Sequence, residues 1–116
     1  MKNKAKENMT QKSKSQQLIE QLNMKPLKGE SGFISYIATS AIDVRRCGRT
    51  FKANSSIYYL LNREKPINYL HWLSMDDIHV LSDGGPVDYY IFHLDGTVEH
   101  HVLGRDLENG QKLVVT

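Results

Sequence analysis

This sequence predicts a mostly β chain, a sandwich or barrel behind one short N-terminal helix. Three observations carry that expectation. Short runs rich in Ile, Tyr, Val and Phe recur along residues 32–115, divided by turns that bear Gly and Asp. Only one stretch, ending before Pro26, sets its apolar residues at helical spacing. The chain has 116 residues, 40% hydrophobic and 24% charged, which fits one globular domain and argues against disorder throughout.

Taken in order, residues 1–14 are polar and lysine-rich and are expected to form a disordered basic tail, leaving residues 15–116 as the folded domain. Leu18, Ile19 and Leu22 share one helical face, with Ser13 or Ser15 available as the cap. The helix is placed at residues 15–23, because a proline drives the residue before it out of the α region and Pro26 follows. The turn Lys28-Gly29-Glu30-Ser31 leads into a first strand at residues 32–39. Residues 56–61, Ser-Ile-Tyr-Tyr-Leu-Leu, have the strongest β composition in the chain. Further strands are expected at 67–73 and 77–81, then at 87–94 and 97–103 on either side of Asp95-Gly96, with one more beginning at 111–115.

Asp95-Gly96 is the clearest hairpin signal. A two-residue turn there pairs His93 with Val98 and Ile91 with His100. One face then carries Tyr89, Ile91, His93, Val98, His100 and Val102, and the other carries Asp88, Tyr90, Phe92, Glu99, His101 and Leu103. The first face is the more apolar. His100 is therefore expected inside and His101 outside, with His93 exposed beside the turn.

Several classes are set aside by composition. No apolar run reaches the roughly 18–20 residues of a membrane span, and no apolar core follows the basic N-terminus as a secretory signal requires. Cys47 is alone, so neither an internal disulfide nor a Cys-rich zinc site is available. A cytoplasmic protein without membrane contact is expected. Within residues 1–25, six lysines oppose Glu7 and Glu20, a net of +4 in a chain of net +2. That segment holds no aromatic residue for base stacking, so no nucleic-acid partner is expected.

The stretch from Tyr69 through His71, Asp77 and His79 to Asp83-Gly84-Gly85-Pro86 has the layout of the first cupin motif, a strand-borne histidine followed by a carboxylate and a glycine turn. From about Leu18 onward the chain resembles the cupin type 5 family, a domain of unknown function. The resemblance rests on Pro26…Glu30-Ser31-Gly32-Phe33, on Ser55-Ser56-Ile57-Tyr58-Tyr59-Leu60-Leu61, and on His71-Trp72-Leu73 with Met75-Asp76-Asp77-Ile78-His79-Val80. It continues through Asp95-Gly96-Thr97-Val98, Leu103-Gly104, Leu107 and Gly110-Gln111. The chain departs from the family at Lys28-Gly29, which replaces a His-Pro pair, at Asp77 in place of glutamate, and at Val80 in place of histidine. The family also continues past Gly110 into strands that close the barrel, whereas this sequence stops at Thr116. The fold this implies is a cupin-type jelly-roll β-barrel, incomplete at the C-terminus, with a homodimer partner covering the open edge.

The resemblance implies a pocket lined by His71, Asp77, His79 and Tyr59. If His71, Asp77 and His79 all point inward, they form a two-histidine, one-carboxylate set suited to manganese, iron, nickel or zinc. The competing expectation is a metal-free pocket in which His71 and Asp77 bond each other or a water. The first functional expectation is accordingly a non-catalytic or vestigial domain that binds an unknown small molecule. The alternative is a metal-dependent or epimerase-like enzyme with His71 and Asp77 as the acid–base pair and Tyr58 or Tyr59 as second proton donor. A third is a protein-interaction module using an open sheet edge.

Overall fold

The computed structural model describes residues 11–116. The expectation of disorder for the tail lies outside the described residues as far as residue 10. Lys12 is already placed, its ammonium 2.6 Å from the Glu20 carboxylate, and the helix takes in Lys14. The chain divides into two compact units, a first ending at His71 and a second running Trp72–Thr116.

In the first unit, helix α1 (Lys14–Gln21) opens on a capping box. The Ser13 hydroxyl accepts from the Gln16 N–H at 3.2 Å, and the Gln16 side chain accepts from the Ser13 N–H at 3.0 Å. The helix stops two residues short of expectation, because Asn23 adopts a left-handed φ of 50° and Met24 N–H turns back to the Ile19 carbonyl. Strand β1 (Lys25–Pro26) pairs antiparallel with β2 (Phe33–Thr39), which pairs antiparallel with β5 (Ser55–Leu60), giving a three-stranded sheet. Pro26 sits on the edge strand, where its missing N–H costs no ladder bond. Among the described residues of this unit, Met24 and Phe33 are the buried apolar ones.

A second hairpin, β3 (Asp43–Arg46) with β4 (Arg49–Lys52), was not foreseen. Its two-residue turn is Cys47-Gly48, both at positive φ (52° and 75°), the mirror-image turn geometry that suits the strand twist. Cys47 is a poor signal for that geometry, which Asn, Asp or Gly normally supply. Residues 67–73, expected as a strand, form none. Tyr69 N–H donates to the Glu30 carbonyl at 2.8 Å, and the segment lies against the Glu30 turn without a ladder.

In the second unit, β6 is cut to His79–Val80 and pairs antiparallel with β9 (Val114–Val115). Strands β7 (Val87–Phe92) and β8 (Val98–Leu103) form the expected hairpin in a different register: Phe92 opposes Val98, Ile91 opposes Glu99 and Tyr89 opposes His101. Gly96 N–H donates to the His93 carbonyl and His93 N–H to the Thr97 carbonyl, so the turn spends three residues rather than two. Gly96, at φ 89°, takes the left-handed bulge position, and the Asp95 carboxylate accepts from Thr97 N–H and O–H. One extra turn residue moves every side chain of β8 to the opposite face. Tyr89, Ile91, Glu99, His101 and Leu103 therefore share the more sheltered face, and His100 lies on the exposed one, the reverse of the sequence expectation. Leu103 and Val115 are the buried apolar residues here.

The ladders make four separate sheets among the described residues, so the expected barrel is not closed. No helix is long and apolar enough to cross a membrane, again among the described residues.

Candidate functional site

The turn between β1 and β2 builds the site in the first unit. Gly29, Ser31 and Gly32 all take positive φ, which folds the chain tightly and leaves the Glu30 and Ser31 carbonyls pointing at incoming donors. Strand β5 brings Tyr59 opposite Ile34, so its ring crosses the turn. A Cβ on Gly32 would stand 2.6 Å from the Tyr59 Cζ, so only glycine lets the phenol approach.

Tyr59 O–H donates to the Ser31 carbonyl at 2.6 Å and accepts from the Asn68 amide at 2.6 Å. The same amide donates to the Glu30 carbonyl at 3.3 Å. Burial raises the Tyr59 pKa above the usual tyrosine range, the Asn68 hydrogen bond opposes this, and the Glu30 charge adds to it.

His71 closes the cluster. Its Nδ1 lies 2.7 Å from the Tyr69 carbonyl and its Nε2 lies 3.6 Å from a Glu30 carboxylate oxygen. A carbonyl only accepts, so Nδ1 carries a hydrogen, and in the neutral form of the ring Nε2 is the bare nitrogen that faces Glu30.

Of the residues expected from sequence, His71 and Tyr59 are thus brought together with Glu30 and Asn68. The last two were not singled out for chemistry. Glu30 was visible as part of the turn and of a block shared with the family, and Asn68 lay in a presumed strand.

Asp77 and His79 belong to the second unit and bond each other, His79 Nε2 to Asp77 Oδ2 at 2.8 Å. The His79 ring packs tilted on Tyr89 with centroids 5.0 Å apart. On the sheltered hairpin face, the Glu99 carboxylate takes His93 Nε2 at 2.6 Å and stands 3.4 Å from His101 Nε2. The His93 hydrogen bond chiefly holds the Glu99 pKa below the ordinary glutamate range. Lys112 Nζ donates to His101 Nδ1 at 3.1 Å. Glu99, His101, Lys112 and Val115 line an open depression of about 230 Å³. Among the described residues, no three His, Cys, Asp or Glu side chains gather in a way that would hold a metal ion.

The sequence matches the family described as Cupin superfamily (DUF985) over residues 16–116. No curated protein matches it. Among solved structures, the chain is similar to a hypothetical protein from Leishmania major, with a TM-score of 0.80 and 23% identity over 89% of this chain. At that identity the likeness concerns the fold. The match spans 64% of the Leishmania protein's length.

Proposed function

The chain belongs to the Cupin superfamily (DUF985) family, and on that premise we propose that it is a metal-free domain that binds a small molecule without transforming it. The carrying observation is that the side-chain donors around Tyr59 and His71 are already committed within the protein. The Tyr59 hydrogen goes to Ser31, both Asn68 amide hydrogens go to Tyr59 and Glu30, and the His71 Nδ1 hydrogen goes to Tyr69. An epimerase-like reaction needs a base on one side of the substrate and a free proton donor on the other. Tyr59 hands its proton to its own backbone instead. The test is a thermal-shift screen of metabolites on the whole chain, followed by affinity measurement on His71→Ala. Loss of affinity with no product formed supports binding. Conversion of a hit to product, abolished in His71→Ala, overturns it.

One observation favours the catalytic alternative. The Glu30 carboxylate facing an imidazole already fixed by a carbonyl is the arrangement of an oriented general base. In that reading Glu30 takes the role that sequence reasoning gave Asp77.

Homodimer formation in the cytoplasm is also proposed. Among the described residues, two buried apolar side chains in each unit make a thin core, while Tyr36, Leu70 and Trp72 are 80%, 78% and 74% exposed. The two-stranded sheets leave open edges that a second copy is able to pair. Light scattering after size exclusion reads the mass, and a monomer at micromolar concentration removes this part of the proposal.

A further inference from the structure

The hydrogen-bond inventory of the first-unit site says which ligand chemistry it takes. With the donors of Tyr59, Asn68 and His71 Nδ1 spent, the Glu30 carboxylate and His71 Nε2 stand 3.6 Å apart, and with the ring neutral both are acceptors. Both side chains are partly exposed, 27% for His71 and 37% for Glu30, and so are open to a ligand. At that separation two acceptors do not bond each other when the ring is neutral.

We infer that Glu30 and His71 form a paired-acceptor site for the positively charged N–H group of a ligand, an amine or an amidine, and not for a phosphate or carboxylate. This rests on the ligand-binding reading above and names the ligand class for that site. An ammonium nitrogen about 2.8 Å from both acceptors subtends an angle of about 80° between them, close enough to tetrahedral for two N–H bonds. The diverging N–H groups of an amidinium reach both acceptors at once. An anion finds no partner in either protonation state: neutral His71 offers a lone pair, and protonated His71 turns its new N–H to Glu30. The Asn68 and Tyr59 hydrogens are held by Glu30, Tyr59 and Ser31 acceptors and do not reorient cheaply.

The experiment is isothermal titration of the whole chain with putrescine and benzamidine, against benzoate and inorganic phosphate as anions and Mn²⁺ and Zn²⁺ as metals. Putrescine or benzamidine is expected to bind, and to weaken by about tenfold or more in Glu30→Gln and in His71→Ala. The second-unit variant His93→Ala should leave the affinity unchanged. Benzoate or phosphate binding that His71→Ala abolishes overturns the cation assignment while leaving the site a ligand pocket. Metal binding lost in both variants, with no amine binding, overturns the organic class. Binding of no probe, or amine binding that survives both variants, overturns the inference. The wild-type preference between benzamidine and benzoate decides the charge of the ligand even if a variant fails to fold.

Discussion

Gly32→Ala offers a direct measurement of how tightly the Tyr59 ring is seated. Gly29 and Gly32 flank the same turn at nearly equal positive φ, 85° and 80°. A Cβ at Gly29 meets nothing within 4 Å, whereas one at Gly32 stands 2.6 Å from Tyr59 Cζ and closer still to the hydroxyl. Both alanines carry the left-handed backbone penalty of about 1 kcal/mol. At Gly32 the ring must also move, which strains its packing by about 1 kcal/mol or more. It loosens hydrogen bonds to Ser31 and from Asn68 that are worth about 0.5–1 kcal/mol each at a half-exposed site. The expected loss is therefore about 1 kcal/mol for Gly29→Ala and about 3 kcal/mol for Gly32→Ala. Urea unfolding reads the difference as a midpoint shift on the order of 1 M. In a Tyr59→Ala background the Gly32→Ala loss should fall to that of Gly29→Ala, a coupling that a double-mutant cycle isolates. Equal losses for the two glycines in the wild-type background would refute the account of the Tyr59 seat.

Three further outcomes are expected. Ultraviolet titration should show one tyrosine ionising above the ordinary value; Glu30→Gln should bring it down and Asn68→Ala send it higher. Because the neutral phenol is the favoured form, this contribution to stability is present below the unfolded tyrosine pKa and lost as pH rises through the folded one. Glu99, followed by carbon NMR, should titrate below the ordinary glutamate range and return toward it in His93→Ala. Its stabilising contribution is present above the unfolded pKa and disappears as pH falls through the folded one. Finally, Leu103→Ala should cost about 2–4 kcal/mol and Val98→Ala under about 1 kcal/mol, since Leu103 is buried and Val98 half exposed. The two-residue turn predicts the opposite order, so thermal melts of these variants also test the hairpin register.

Signals confined to a few neighbouring residues were legible. The helical spacing of Leu18, Ile19 and Leu22 before Pro26 announced one short helix, with Ser13 or Ser15 as its cap, and the β-rich run at residues 56–61 announced β5. Asp95-Gly96 located a hairpin but not its register, because the dipeptide serves both two- and three-residue turns. The choice fell to the Asp95 carboxylate capping Thr97 and to the His93–Gly96 bond. The Cys47-Gly48 turn escaped notice because its conformation is imposed by the strands it joins rather than advertised by its residues. The β6–β9 ladder joins segments far apart in the chain, where no local pattern applies.

The candidate site divides in the same way. Read alone, the sequence settled the family and the presence of a short helix and a set of β strands. These follow from composition, periodicity and motif order, which are properties of the chain read along its length. Only the tertiary structure decided that His71 meets Glu30, that Tyr59 spends its proton on Ser31, and that Asp77 is held by His79. Partner choice of this kind depends on which backbone turns bring side chains within about 3 Å. It is set by the positive-φ turn at residues 29–32 and by the fold-back of Asn68 and Tyr69 onto Glu30.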